Sequence, residues 1–177
     1  MTSQEIYDAL TSKFGSDAII ELNTAAKDHW IEVAPASIAE VSQFLKSDDA
    51  LKFDMLCDLS GVDYLEIDAK LAKKFPFEPH LEVVYHMLSV THKHNMTIKV
   101  KLPRWKDDQE GQIPEVPSVA HVWGIADWHE REAFDLVGIK FTGHPNLVRI
   151  LCPDDWVGHP LRKDYEFPLE YHGVRGY

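Results

Sequence analysis

Apolar positions in the first half of the chain follow two periods. In Ser3–Phe14, Ile6, Leu10 and Phe14 repeat at i, i+4 and i+8 with Gly15 behind them, which predicts a helix that stops at the glycine. Ala18–Leu22 and Trp30–Ala34 are short β-rich runs with polar residues between them, a predicted hairpin. Ser37-Ile38-Ala39-Glu40 has capping-box spacing, in which the serine accepts from the Glu40 amide and Glu40 reaches back. It opens a predicted helix with Ile38, Val41, Phe44 and Leu45 on one stripe, ending near Asp48. Phe53–Tyr64 alternates Phe53, Met55, Cys57 and Leu59 against Asp54, Leu56 and Asp58, the period of a strand. Leu81–Thr91 and Met96–Leu102 alternate most strongly and flank the polar His92-Lys93-His94-Asn95, which predicts a long hairpin. Glu66–His80 and Pro103–Pro117 read as loops. The order α-β-β-α-β-β-β predicts an α+β fold, helices packed on a mainly antiparallel sheet.

Past residue 103 the pattern changes. Asp127–Val137 reads as a helix with Asp127 as its cap and Gly138 in the stop position. Ala133, Phe134 and Val137 share its apolar side, and Glu130 falls there too, explained either by its place in the cap, the preferred reading, or by a buried cationic partner. Trp128, Arg131, Glu132 and Asp135 share the other side, with Arg131 and Asp135 spaced as an i,i+4 ion pair. From Gly143 periodicity ends, yet Leu147, Ile150, Leu151, Trp156, Leu161, Phe167 and Tyr171 persist among prolines. Disordered tails are poorer in large apolar residues. The expected organisation is therefore residues 1–142 as the α+β domain, including this helix, and 143–177 as an extended partner-binding tail.

Charge and cysteine content remove several function classes. Eighteen Lys and Arg against 29 Asp and Glu give a net charge of -11, which repels phosphate backbones and anionic lipid, so no nucleic-acid partner is expected. Cys57 and Cys152 lie far apart with no CxxC, which excludes a four-thiolate zinc or iron–sulfur site in this chain; both read as free, buried thiols. No run approaches 18 apolar residues and the start has no signal-like pattern, so the chain reads as cytoplasmic unless a partner carries it to a membrane.

Single-site chemistry is sparse. Neither GxGxxG nor GxxxxGK[ST] nor GxSxG occurs. His129-Glu130-Arg131-Glu132-Ala133 begins like a zinc helix, but Ala133 stands where the second histidine belongs. His144, His159, Asp154 and Asp155 offer oxygen and nitrogen ligands, although imidazole bonded to a backbone carbonyl is the commoner use of such histidines. His92 and His94 read as solvated. Leu161-Arg162-Lys163-Asp164-Tyr165 is a basic cluster with apolar neighbours, the composition of an interface anchor. Arg162 is expected to make a charge-assisted contact with a partner.

Glu130-Arg131-Glu132, Asp135, Gly138-Ile139, Gly143-His144-Pro145 and Arg149-Ile150-Leu151, followed by Gly158-His159-Pro160-Leu161-Arg162-Lys163-Asp164-Tyr165, closely resemble the C-type subunit of NADH–quinone oxidoreductase, the small hydrophilic subunit of respiratory complex I. The paired motifs ERExxDLxGIxFxGHPxLxRIL and GHPLRKDY, in this order, carry the resemblance. It extends to Leu81–Ser89, Lys99–Pro103 and Trp123, and so over about the whole chain. It implies a non-catalytic peripheral-arm subunit whose tail lies on the neighbouring D-type subunit, which helps form the quinone site. FMN, iron–sulfur clusters and quinone are expected in partner subunits and no cofactor in this chain. The complex would sit on the cytoplasmic side of the plasma membrane, which this chain touches only through its partners, and couple electron transfer to proton translocation. Glu130, Arg131, Glu132, Asp135, His144, Pro145, Arg149, His159, Pro160, Leu161, Arg162, Lys163, Asp164 and Tyr165 would be its interface or fold-fixing residues. Asp154–Val157 departs from the motif and takes no role. Ending at Tyr177, the chain would be the stand-alone form of a subunit that some members fuse to the D-type one. The alternative is the equivalent subunit of a related membrane-bound hydrogenase or other donor-linked complex.

Overall fold

The computed structural model describes residues 1–74 and 77–176, so the expected loop over 66–80 and the tail end at Tyr177 extend outside the described residues. Helix α1 (Ser3–Phe14) matches its predicted span. Thr2 caps it in a full capping box with Glu5, and Gly15 ends it at φ 81°, a left-handed value that a glycine adopts without strain. Strands β1 (Ile19–Asn23) and β2 (Trp30–Val33) form the predicted hairpin. Helix α2 (Ile38–Ser47) buries Ile38, Val41 and Leu45. Ser37 does not cap it. It ends a 3-10 turn over Pro35–Ser37, in right-handed helical conformation, and makes no side-chain cap bond. The proline starts the turn one step early, so the serine is already inside the helical path.

Strand β3 (Met55–Tyr64) carries a bulge between Leu56 and Asp58. The extra residue is Cys57, and it shifts the alternation by one position. Leu56 is therefore buried, while Met55 and Cys57 are exposed, against the expected pattern; Leu59 is buried as expected. A short helix α3 (Ala69–Lys74) lies inside the first expected loop. Strands β4 (His80–Ser89) and β5 (His94–Leu102) pair along their length as the predicted hairpin. His94 at its turn is not solvated: its Nε2 donates to Leu51 O at 2.8 Å and its ring packs against Phe53. The sheet order is β1-β2-β5-β4-β3, antiparallel except for the parallel pair β2·β5.

The second expected loop contains β6 (Glu115–Pro117), which pairs in parallel with β7 (Lys140–Thr142) across helix α4 (Ala126–Val137). One core gathers Ile6 and Leu10 of α1, Ile38, Val41 and Leu45 of α2, Ala126, Ala133 and Val137 of α4, and the inward residues of the sheet. The other sheet face carries charge: Lys99 pairs with Glu82 at 2.8 Å, and Lys101 with Glu32 at 2.7 Å. The tail ends in a two-residue ladder of β8 (Glu170–Tyr171) and β9 (Val174–Arg175). Among the described residues no helix is long and apolar enough to cross a membrane.

Helix α4 lies closely over β3 at Gly61, where a Cβ would come within 3.1 Å of Val137 Cγ2 and 3.3 Å of Ile139 Cδ1. Replacing Gly61 with valine forces these layers apart and is expected to cost about 1–3 kcal/mol, as overpacking does. Urea unfolding checks this, and Gly61→Ala should lose less than Gly61→Val.

Candidate functional site: a clamp on the end of α4

A helix leaves its last carbonyls without intrahelical donors. At α4, Gly138 in the left-handed region (φ 75°, ψ 57°) returns its N–H to Ala133 O and Phe134 O. The next four carbonyls are all taken by the tail. Asp135 O accepts from His159 Nδ1 at 3.0 Å and Arg149 Nη1 at 3.1 Å. Leu136 O accepts from Leu161 N at 2.8 Å. Val137 O accepts from Arg162 Nε at 2.7 Å, and Gly138 O from Arg162 Nη2 at 3.2 Å. Arg162 also donates to Arg104 O at 3.1 Å and lies 3.9 Å from the centre of the Trp105 ring. A cation here also opposes the negative end of the helix dipole.

Arg162 is only 6% exposed, and its guanidinium is engaged within its own chain. The expectation that it reaches a partner is thereby corrected. The residues around it are equally tied. Lys163 N donates to Asp63 Oδ2 at 2.9 Å, and Arg104 joins Asp63 of β3 to Asp164, the second contact at 2.8 Å. His159 sits where a Cβ on Gly138 would be, and Tyr165 lies against Gly158 and donates to Val157 O. Pro160 is half-buried between His159 and the Leu161 contact; Pro145 and Glu132 are exposed.

Asp135 forms the second half of the clamp. It does not pair with Arg131, nor lie on an exposed face: its side chain is fully buried under the tail. Its Oδ2 accepts from the consecutive amides of Ile150, Leu151 and Cys152 at 2.8–3.0 Å, and its Oδ1 from Arg149 at 2.6 Å. Arg149 continues to Trp156 O and Gly158 O. Burial alone would raise the Asp135 carboxyl, but the Cys152 and Leu151 amides, Arg149 and the Ile150 amide outweigh it and hold the group down to about 2. Arg131 turns to the carbonyls of Val148 and Arg149, at 3.1 Å each.

At the other end of α4, Asp127 is not the cap; Ile125 holds that position without a side-chain bond. Glu130 is therefore not explained by capping. It is fully buried, accepts from Val119 N at 2.7 Å and Ser118 Oγ at 2.6 Å, and so anchors the 118–119 turn. Burial pushes its carboxyl up to about 7, the two donors only partly opposing this. His144 Nε2 donates to Asp127 O at 3.0 Å while its Nδ1 accepts from Asn146 N. Both candidate metal histidines thus bond backbone carbonyls. Among the described residues no group of three or more His, Cys, Asp or Glu is placed to hold a metal. Sequence reasoning missed Asp63, Arg104 and Trp105, which come together from β3 and the segment after β5, and His129, whose Nδ1 accepts from Leu59 N of β3 at 3.2 Å. Nothing in their spacing along the chain marks them.

Arg162→Ala leaves three carbonyls without donors and should destabilise the isolated chain by about 3 kcal/mol, the scale of breaking a buried charged contact. Arg162→Lys should recover less than half, because one ammonium cannot serve the same fork. Denaturant unfolding of both variants checks this. Glu130 gives a pH test. Its folded value of about 7 lies above the ordinary 4.5, so the folded state holds the extra proton between them. Stability from this group is complete below pH 4.5 and falls as pH rises to 7, by about 3 kcal/mol at ~1.4 kcal/mol per unit. Glu130→Gln keeps both partners without the charge, so its stability should be flat over that range and exceed the parent's at pH 8. Melting curves at pH 5 and 8 measure the difference.

Residues 31–171 match the family described as "Respiratory-chain NADH dehydrogenase, 30 Kd subunit". The chain is 42% identical over 171 residues to the C-type subunit of NADH-quinone oxidoreductase from Chloroherpeton thalassium, across 96% of this chain and 63% of that protein. It is 39% identical over 175 residues to that of Salinispora arenicola, across 96% and 65%. It is 43% identical over 154 residues to that of Roseiflexus castenholzii, across 87% and 79%. It thus spans just under two thirds of the length of the first two relatives. Its fold resembles a chain in the structure of the membrane-bound sulfane sulfur reductase, an archaeal respiratory membrane complex, with a TM-score of 0.67 and 22% identity over 92% of this chain and 85% of that one. Matched by the family over most of its length and at about 40% identity to these relatives, the chain belongs to the family of the 30 kDa subunit of respiratory-chain NADH dehydrogenase, the C-type subunit of NADH-quinone oxidoreductase.

Proposed function

We propose that this chain is a non-catalytic structural subunit in the peripheral arm of a proton-translocating NADH–quinone oxidoreductase, docked through its tail on the D-type subunit beside the quinone site. FMN, iron–sulfur clusters and quinone belong to the partner subunits in this reading. The chain meets the cytoplasmic side of the membrane only through them. Its work is to hold the arm together while electrons pass elsewhere.

The carrying observation is how the tail divides its groups. The polar groups of the clamp point inward, while several large apolar side chains of the same segment point outward. Leu161 gives its N–H to Leu136 O, yet its side chain is 58% exposed. Phe167, Leu169 and Val174 are each at least 70% exposed. Trp156, Tyr165, Phe167 and Tyr171 stack in a chain of ring contacts, centroids 5.0–5.7 Å apart, which gives this face a set shape. An exposed apolar surface on an ordered segment favours a protein partner. The segment is already fixed at one end, so docking has less chain to order.

Phe167→Asp combined with Leu161→Asp should lower recovery of assembled complex from gently solubilised membranes at least tenfold. The isolated chain should stay folded and lose about 1–2 kcal/mol, the scale of the two Phe167 ring contacts. Undiminished assembly would sink tail docking. Recovery of the tagged parent with a hydrogenase-type or other donor-linked catalytic subunit, and no NADH–quinone reductase activity, would move the chain to the alternative complex.

A further inference from the structure

Glu130 sits in the core with no Lys or Arg paired to it among the described residues. The groups around it come from several elements. Ser118 and Val119, in the turn after β6, donate to its two oxygens. From β4, Tyr85 stands in register with Leu59 of β3, whose amide binds His129 next to Glu130. The Tyr85 hydroxyl is buried without a partner among the described residues. Burial first, and then the Glu130 charge, raise its ionisation well above the ordinary tyrosine value, so it keeps its proton. Of the nearby cations, Lys46 of α2 is engaged at Val122 O and Arg131 at the tail carbonyls. His144, after β7, completes the group. Its side chain is wholly buried, and its Nε2 lies 3.0 Å from Asp127 O, 3.3 Å from Asp127 Oδ1 and 4.0 Å from Glu130 Oε2.

The Nδ1 of His144 accepts from Asn146 N at 3.0 Å, which leaves the ring hydrogen on Nε2. That one hydrogen faces three oxygens. The choice among them depends on the Glu130 proton. A neutral Glu130 has a hydrogen of its own, which Ser118 Oγ can accept, and His144 stays on Asp127 O. An ionised carboxylate only accepts, and in a buried site two donors do not replace its lost water. A hydrogen bond to a charged oxygen is roughly twice as strong as one to a neutral carbonyl. The Asp127 carboxylate competes less, because its side chain is 38% exposed and water weakens its pull.

We propose that Glu130 and His144 form a proton-operated latch between α4 and the root of the tail: when Glu130 gives its proton to solvent, the His144 Nε2–H leaves the Asp127 carbonyl and closes on the Glu130 carboxylate. The ring stays neutral, because Nδ1 is held by Asn146. The Asn146 amide follows the ring, so the start of the tail moves with it. The inference does not rest on the tail docking.

The test follows the His144 ring nitrogens and the Glu130 carboxyl carbon by NMR of the labelled full chain from pH 5 to 8.5. Glu130 ionises at about 7, so the latch is open below that pH and closed above it. Expected is a neutral His144 with its hydrogen on Nε2 at both ends of the range. The Nε2–H signal should move downfield in one step that shares the Glu130 midpoint, and the Asn146 amide should move with it. Glu130→Gln should abolish the step. Asp127→Asn should keep it at a lower midpoint, since the Asp127 charge opposes ionisation of Glu130. Ser118→Ala removes a donor from the carboxylate and should raise the midpoint by about one unit. A step that survives Glu130→Gln is the titration of His144 itself and overturns the latch. So does a His144 that gains a second ring hydrogen, or one that stays still while Glu130 titrates. Loss of the step in Tyr85→Phe, with Glu130 still titrating, gives the closing donor to the tyrosine and overturns it too.

Discussion

Four carbonyl groups at the end of α4 set the terms for everything after residue 143. Buried without donors, each would cost on the order of 1–3 kcal/mol. The donors come from His159, Leu161, Arg162 and Arg149, all in a segment with no regular structure of its own until its last residues. Helix end and tail are thus one unit: neither has its hydrogen bonds satisfied without the other. Asp135 repeats the logic in reverse, a carboxylate that gathers three amides and a guanidinium from the same segment. Because charges as well as dipoles face each other across this contact, its strength should follow the ionisation of Asp135 at low pH.

This arrangement explains how an irregular segment keeps a defined outer face. Inward polar contacts recur from residue 144 to residue 165, so the side chains between them have little choice of direction. Leu151 and Leu161 are exposed because the backbone beside them is tied, and not because the segment is loose. The same division appears on α4. Glu130 and Asp135 are fully buried on opposite sides of one helix, one against the 118–119 turn and one under the tail. A polar residue on the sheet side and a second buried side are what a helix shows when it is sandwiched between two layers.

The sheet, α1, the two hairpins and the span of α4 are legible in the sequence because periodicity reports burial against one neighbour. Some of the errors originate in contacts distant in sequence, others in where the helical path begins. Asp135 and Arg131 have ideal i,i+4 spacing, but the tail offers both better partners, so the local pair never forms. Ser37 and Asp127 have the composition of caps, yet in each case the helical path begins before them. Strict alternation assigns Cys57 to the core, and a single bulge overturns it. The motif residues of the tail stand out together, but their direction does not. Arg162 has the chemistry of an interface residue and is instead an internal strut, because the carbonyls it serves are its own chain's.

One contact outside the clamp bears on the time a newly made chain spends alone. Strand β3 is an outer strand of the sheet, and the Leu59 N–H directed away from β4 is taken by His129. Farther along, Asp63 binds the Lys163 amide, so the tail also crosses that border. At the opposite border, β1 is five residues long and bulged between Ile19 and Glu21. Free strand borders recruit further strands and seed aggregates. With one border occupied by a histidine and the tail, and the other too short and kinked to extend, an orphan copy is protected from polymerising by strand addition while its outer apolar residues remain uncovered.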